Sequence, residues 1–134
     1  MINPRTPVLV GSGQITQKID NLSEAKDPID LMKDSSVLAI NDTTVSDLSN
    51  HIDTVVTVRF IFEDAKTFYG PTGGNTPQYL VNIMAEKISQ GESDVVLLSG
   101  SECFSSMRKA SKQGIKTGWG EDSGGQRIDL GFEK

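Results

Sequence analysis

The stretch from Gly73 to Gly100 most constrains what this chain can become. Gly73-Gly74-Asn75-Thr76-Pro77 leads into Leu80, Val81, Met84, Ala85 and Ile88, at i, i+1, i+4, i+5 and i+8, one apolar stripe of a helix. Thr76 reads as the N-cap, Pro77 as the first helical residue and Gly91 as the left-handed terminator. After the polar Glu92-Ser93, the run Asp94-Val95-Val96-Leu97-Leu98-Ser99-Gly100 is continuously apolar rather than alternating. Such a strand needs both faces covered, which puts it in the middle of a sheet.

Other segments fit the same plan. Pro7-Val8-Leu9-Val10-Gly11-Ser12-Gly13 reads as a first buried strand ending in a tight turn. Gln14 to Lys26 is polar and aperiodic, a long loop. Asp27-Pro28 then caps and starts a helix whose apolar positions Ile29, Met32, Ala39 and Ile40, with Ser35 and Ser36 between them, make a weak stripe suited to close packing. That helix is expected to end near Asn41-Asp42. Ile52 to Phe62 is rich in β-branched and aromatic residues, a second strand. Glu63 to Thr72 is open between short helix, short strand and loop. Strand, helix, strand, connection, helix, strand is the order of a parallel sheet with helices on its faces, so the fold class is α/β. Beyond Gly100 no further element is legible: Arg108, Lys109, Lys112 and Lys116 cluster, then Gly-rich polar sequence follows from Gly118 to Gly125. Residues 1–112 therefore read as one domain and 113–134 as a polar tail, the start of a missing loop region.

Composition narrows the function classes. With 134 residues, 36% hydrophobic and 23% charged, the chain is long enough for one globular domain. Thirteen Lys and Arg against 18 Asp and Glu leave a net charge of −5, which excludes a strongly basic nucleic-acid binder. No apolar run exceeds the four residues seen from Val95 to Leu98, far below the roughly 20 of a membrane-spanning helix. Cys103 is the single cysteine, so no internal disulfide and no cysteine-built metal cage can form. Met1 to Arg5 lacks the apolar core of a secretory signal and reads as a domain start, so a cytoplasmic location is expected.

Three constellations bear on chemistry. Gly11-Ser12-Gly13 after a strand has the look of a dinucleotide turn, but Thr16 stands where a third glycine belongs and the helix waits until Pro28. An ordinary glycine turn is the competing reading. The Gly73 to Pro77 turn runs directly into a helix, whose N–H groups and positive dipole end would stabilise an anion or a developing oxyanion; a crowded junction that needs glycine for packing is the alternative. Cys103 has Glu102 beside it, the wrong neighbour for a thiolate, and His51 lies on a loop before the second strand, so Cys103 reads as a buried small side chain. The basic segment 108–116 reads as a solvated face, with phosphate contact as its alternative.

Taken together, Thr6 to Gln14, Pro28-Ile29-Asp30-Leu31-Met32, Ile52-Asp53-Thr54-Val55, Gly73 to Gln78 and Gly91 through Ser101-Glu102 resemble the N-terminal half of thiolase-superfamily proteins. The likeness is to the thiolase-like acetyl-CoA acetyltransferases related to sterol-carrier-protein-type thiolases. It is collinear over roughly residues 6–112.

The resemblance implies a thiolase-like fold, acyl transfer between CoA thioesters, and no cofactor beyond the coenzyme A thioester itself. In that family the nucleophilic cysteine sits at the N-terminus of the helix matching Thr76 to Gln90. Aligning on Gly91 and Glu102 puts Gly74 at that place, so the covalent step lacks its first residue, although the Gly74 N–H remains available to a thioester oxygen. Gly74, Asn75 and Thr76 become the expected substrate contacts. The family's histidine and second cysteine come from a C-terminal half, which implies a continuation of the chain, a separate C-terminal thiolase half or a homodimer. Three functions stay open: an acetyl-CoA acetyltransferase-like protein, inactive as this chain alone; a non-catalytic acyl-CoA-binding or scaffold subunit; and a nucleotide-binding domain using Gly11 to Gly13.

Overall fold

A computed structural model describes residues 3–58, 68–69, 74–119 and 128–129. Among these, α1 spans Pro28–Asp42, β1 Thr54–Thr57, β2 Phe68–Tyr69, α2 Thr76–Gln90, β3 Val96–Ser99, α3 Phe104–Lys112 and β4 Ile128–Asp129. The strands form one parallel sheet in the order β3-β1-β2-β4, with Val56 opposite Leu98 and Phe68. The protein is thus a mixed α/β structure. No helix among the described residues is long and apolar enough to cross a membrane.

Helix α1 starts and stops as its residues dictate. The Asp27 side chain accepts the Asp30 N–H at 2.8 Å, and Pro28 occupies the first turn. At the other end the Thr43 N–H returns to Ile40 O. Ser36 faces β3, its Oγ 3.3 Å from Ser99 Oγ, while Ser35 Oγ donates to Met32 O within the helix. Ile29, by contrast, is 53% exposed.

Helix α2 supplies most of the core. Leu80 and Met84, one turn apart, pack with Val56 of β1, and Val58, Tyr79, Ile83, Val96 and Leu98 close around them. Gly91 ends the helix at φ 78, with its N–H shared between Ile88 O and Lys87 O and the Glu92 N–H on Lys87 O. The helix begins one residue earlier than the capping pattern predicts. Tyr79 N–H bonds to Asn75 O, which makes Asn75 the N-cap and moves Thr76 into the first turn, where it is buried.

Four expectations are corrected here. Pro7 to Gly13 is not a strand: Val8 and Leu9 are 74% and 88% exposed, and the segment runs beside β3 without joining its ladder. Pro7 has no N–H to donate, and Gly11 and Gly13 are pressed against α1 instead. Second, β3 lies at an end of the described sheet rather than in its middle. An uninterrupted apolar run reports covered faces, and α1 and α2 both contact β3, but it carries no information about hydrogen-bonded neighbours at the strand's edges. Third, Arg108, Lys109 and Lys112 of the basic segment belong to a helix, α3, with Cys103 at its N-cap, while Lys116 follows it. Fourth, the tail contributes β4, paired with β2. The second strand is seen over Thr54–Thr57, while Arg59 to Phe62 and most of the ambiguous segment 63–72 lie outside the described residues.

Candidate functional site

Parallel strands direct their carboxyl ends to one edge of a sheet, and ligands of open α/β sheets bind outside that edge. Two candidate places follow from this, the turn before α2 and the cleft beyond β3.

At the turn, Gly74 and Asn75 are exposed and Thr76 is 1% exposed. The Asn75 side chain makes no cap hydrogen bond. A Cβ placed on Gly74 meets no atom of the described residues within 4 Å. Among the described residues, packing therefore does not require glycine there, which speaks against the crowded-junction account at this residue.

Beyond β3, Gly100 to Phe104 form one wall of a cleft of about 1170 Å³. Leu31 and Ser35 of α1, the loop from Gly13 to Ile19, and α3 make the rest. Lys109 holds the loop against α3, its Nζ donating to Ile19 O at 3.1 Å and also to Asp20 O. Glu102 accepts the Phe104 N–H and so caps α3. Ser101 Oγ is shielded from solvent and has no hydrogen-bond partner among the described residues.

Cys103 is 6% exposed in this cleft's wall. Burial, then the charges of Glu102 and Asp27, push its thiol above the ordinary value, so at neutral pH it is a neutral S–H. The cleft walls do not include Gly74, Asn75 or Thr76. His51 ends a short 3-10 turn, Leu48–His51, and its polar partner among the described residues is Asp47, at 3.3 Å. The structure thus brings neither the histidine to the cysteine nor the Gly74 turn into the cleft that holds the cysteine.

The Gly11-Ser12-Gly13 turn has a different purpose from nucleotide binding. A Cβ on Gly11 would stand 2.3 Å from Ala39 O, and one on Gly13 2.3 Å from Ser35 O. Both glycines let the chain cross the backbone of α1. The N–H of Ser12, which a phosphate would need, instead donates to Asp42 Oδ2 at 2.9 Å, so a carboxylate already occupies the place of the anion.

The basic residues of α3 were visible in the sequence, but Lys18 and Ser101 carried no local signal. They reach the cleft only because the loop folds over α3 and β3 ends beneath it. No protein-family model, no curated protein and no solved structure matches this chain.

Proposed function

We propose that this chain is the N-terminal part of a thiolase-like, acetyl-CoA acetyltransferase-like protein of the cytoplasm. Its Gly74 turn binds an acyl-CoA thioester, and no residue of the chain acts as the nucleophile. The likeness of the segments from Thr6 to Glu102 motivates the family. The observation that carries the site is the space beside Gly74, open among the described residues, at the entry to a 15-residue helix. A position that tolerates a side chain yet lacks one leaves the main chain accessible to a carbonyl oxygen at the positive end of the helix dipole. The buried, protonated Cys103 does not replace the missing thiol.

Calorimetry with acetyl-CoA and with CoA, paired with an assay for released CoA, tests this reading. Binding without release is expected. Gly74→Cys places a thiol at the turn, and incubation with acetyl-CoA followed by peptide mass spectrometry should find an acyl group on the new residue. Release of CoA by the unsubstituted chain, or acylation at Cys103, would contradict the proposal.

A further inference from the structure

The cleft beyond β3 has a charge pattern that the thioester reading does not use. The chain as a whole is acidic, at −5, yet Lys18, Arg108, Lys109 and Lys112 all line this cleft. Lys109 is occupied in holding the loop. The other three have no hydrogen bond or ion pair among the described residues. Arg108 and Lys112 stand four residues apart on α3, so two like charges share one helix face with no carboxylate between them. Lys112, in the last turn, also complements the helix dipole; Arg108 in mid-helix and Lys18 on the opposite loop do not.

Two carboxylates stand near the cleft, Glu102 in its wall and Asp27 beside Cys103. Glu102 accepts the N–H of Phe104 and Asp27 that of Asp30, each at the start of its own helix. Both keep their negative charge, but neither is ion-paired with Lys18, Arg108 or Lys112 among the described residues. Ser101 also belongs to the cleft wall, with its Oγ buried and without a hydrogen-bond partner among the described residues. A volume of about 1170 Å³ suits a small molecule.

From these observations we infer that the cleft is a binding site for a small ligand bearing a pyrophosphate group, gripped by Lys18, Arg108 and Lys112. Arg108 offers the planar fork that pairs two phosphate oxygens at once, while the two lysines act as point charges on either side. Lys109 is a positioning residue: without its bonds to Ile19 and Asp20 the loop bearing Lys18 is not held opposite Arg108. The site shares no residue with the Gly74 turn and does not depend on the thioester reading. A nucleoside diphosphate and coenzyme A both carry the required group.

Titration calorimetry with inorganic pyrophosphate tests the site directly, with ADP and CoA as parallel arms. One equivalent of pyrophosphate should bind, with affinity falling as sodium chloride is raised. Arg108→Gln, Lys18→Gln and Lys112→Gln, all at exposed positions, should each weaken binding about tenfold, while Lys33→Gln on the exposed side of α1 should leave it unchanged. Circular dichroism checks that each variant stays folded. ADP binding more tightly than pyrophosphate, with CoA no better, identifies a nucleotide ligand; CoA binding most tightly identifies the coenzyme. Absence of pyrophosphate binding at millimolar concentration, or equal weakening by Lys33→Gln, would overturn the inference. Gly74→Cys acylation is read separately, so either proposal can fail without the other.

Discussion

Asp53 and Ser93, 40 residues apart in sequence, meet at the entry to two neighbouring parallel strands, where Ser93 Oγ donates to Asp53 Oδ1. Thr54 Oγ1 donates to the same oxygen at 2.7 Å, and the amides of Asp94 and Val95 donate to Oδ2 at 2.7 and 3.1 Å. One carboxylate thus ties the amino ends of β1 and β3 together and sets their register before the ladder begins. Partial burial opposes its ionisation, but the bonds from Ser93, Thr54, Asp94 and Val95 outweigh that and hold the carboxyl well below the usual aspartate range.

Removing that carboxylate should be costly. Asp53→Ala removes the acceptor of two strand-entry amides and is expected to lower stability by about 0.5–1.5 kcal/mol, measured by urea denaturation at pH 7. Because the folded-state value lies below the roughly 3.9 of a free aspartate, the contribution is complete above that pH. It should be lost as the pH falls below about 4 towards the folded-state value, so the difference between wild type and Asp53→Ala should shrink in acid. An equal difference at pH 7 and in strong acid would show that the carboxylate is not the cause.

Glycine substitutions should separate packing from function. Gly13→Ala drives a methyl into Ser35 O and Gly11→Ala one into Ala39 O, and each is expected to cost about 1–3 kcal/mol. Gly74→Ala, with open space around it among the described residues, should stay within about 0.5 kcal/mol of wild type. Thermal melts of the three variants compare them directly; a Gly74→Ala loss as large as that of Gly13→Ala would mean that the turn is crowded after all.

Cys103 should be a slow thiol. With burial and two carboxylates raising its pKa, alkylation by iodoacetamide at pH 7.5 is expected to run well below the rate of the same thiol in denaturant. The rate should climb as pH rises beyond the ordinary thiol range of about 8.5. Rapid labelling of the folded chain at neutral pH would be inconsistent with its placement.

Arg5 should act as a tether with little global weight. Its Nε donates to Ile88 O at 3.0 Å and its Nη2 reaches Asp94 Oδ1 at 2.7 Å, which clips the amino-terminal segment to the end of α2. The pair is exposed, so Arg5→Ala is expected to cost no more than about 1 kcal/mol. Hydrogen exchange should nonetheless quicken locally at the last turn of α2, where Gly91 packs against the guanidinium.

Local chemistry alone determined the parts of this protein that depend on neighbours in the chain. Asp27-Pro28 started α1 and Gly91 ended α2 because caps and left-handed glycines are decided within a few residues. The stripe of Leu80 and Met84 announced its own burial for the same reason. What tertiary structure alone decided was who lies beside whom. A strand's apolar run speaks for its faces and not its edges, so β3 came to rest at the rim of the described sheet, and Val8 to Val10 stayed outside the ladder despite a strand-like composition. The two glycines of the first turn looked like a phosphate cradle until the backbone of α1 was seen to cross them. Lys18, Ser101 and Arg108 form a cleft because loop, strand end and helix converge in space, and contacts over such separations leave no periodic trace in the chain.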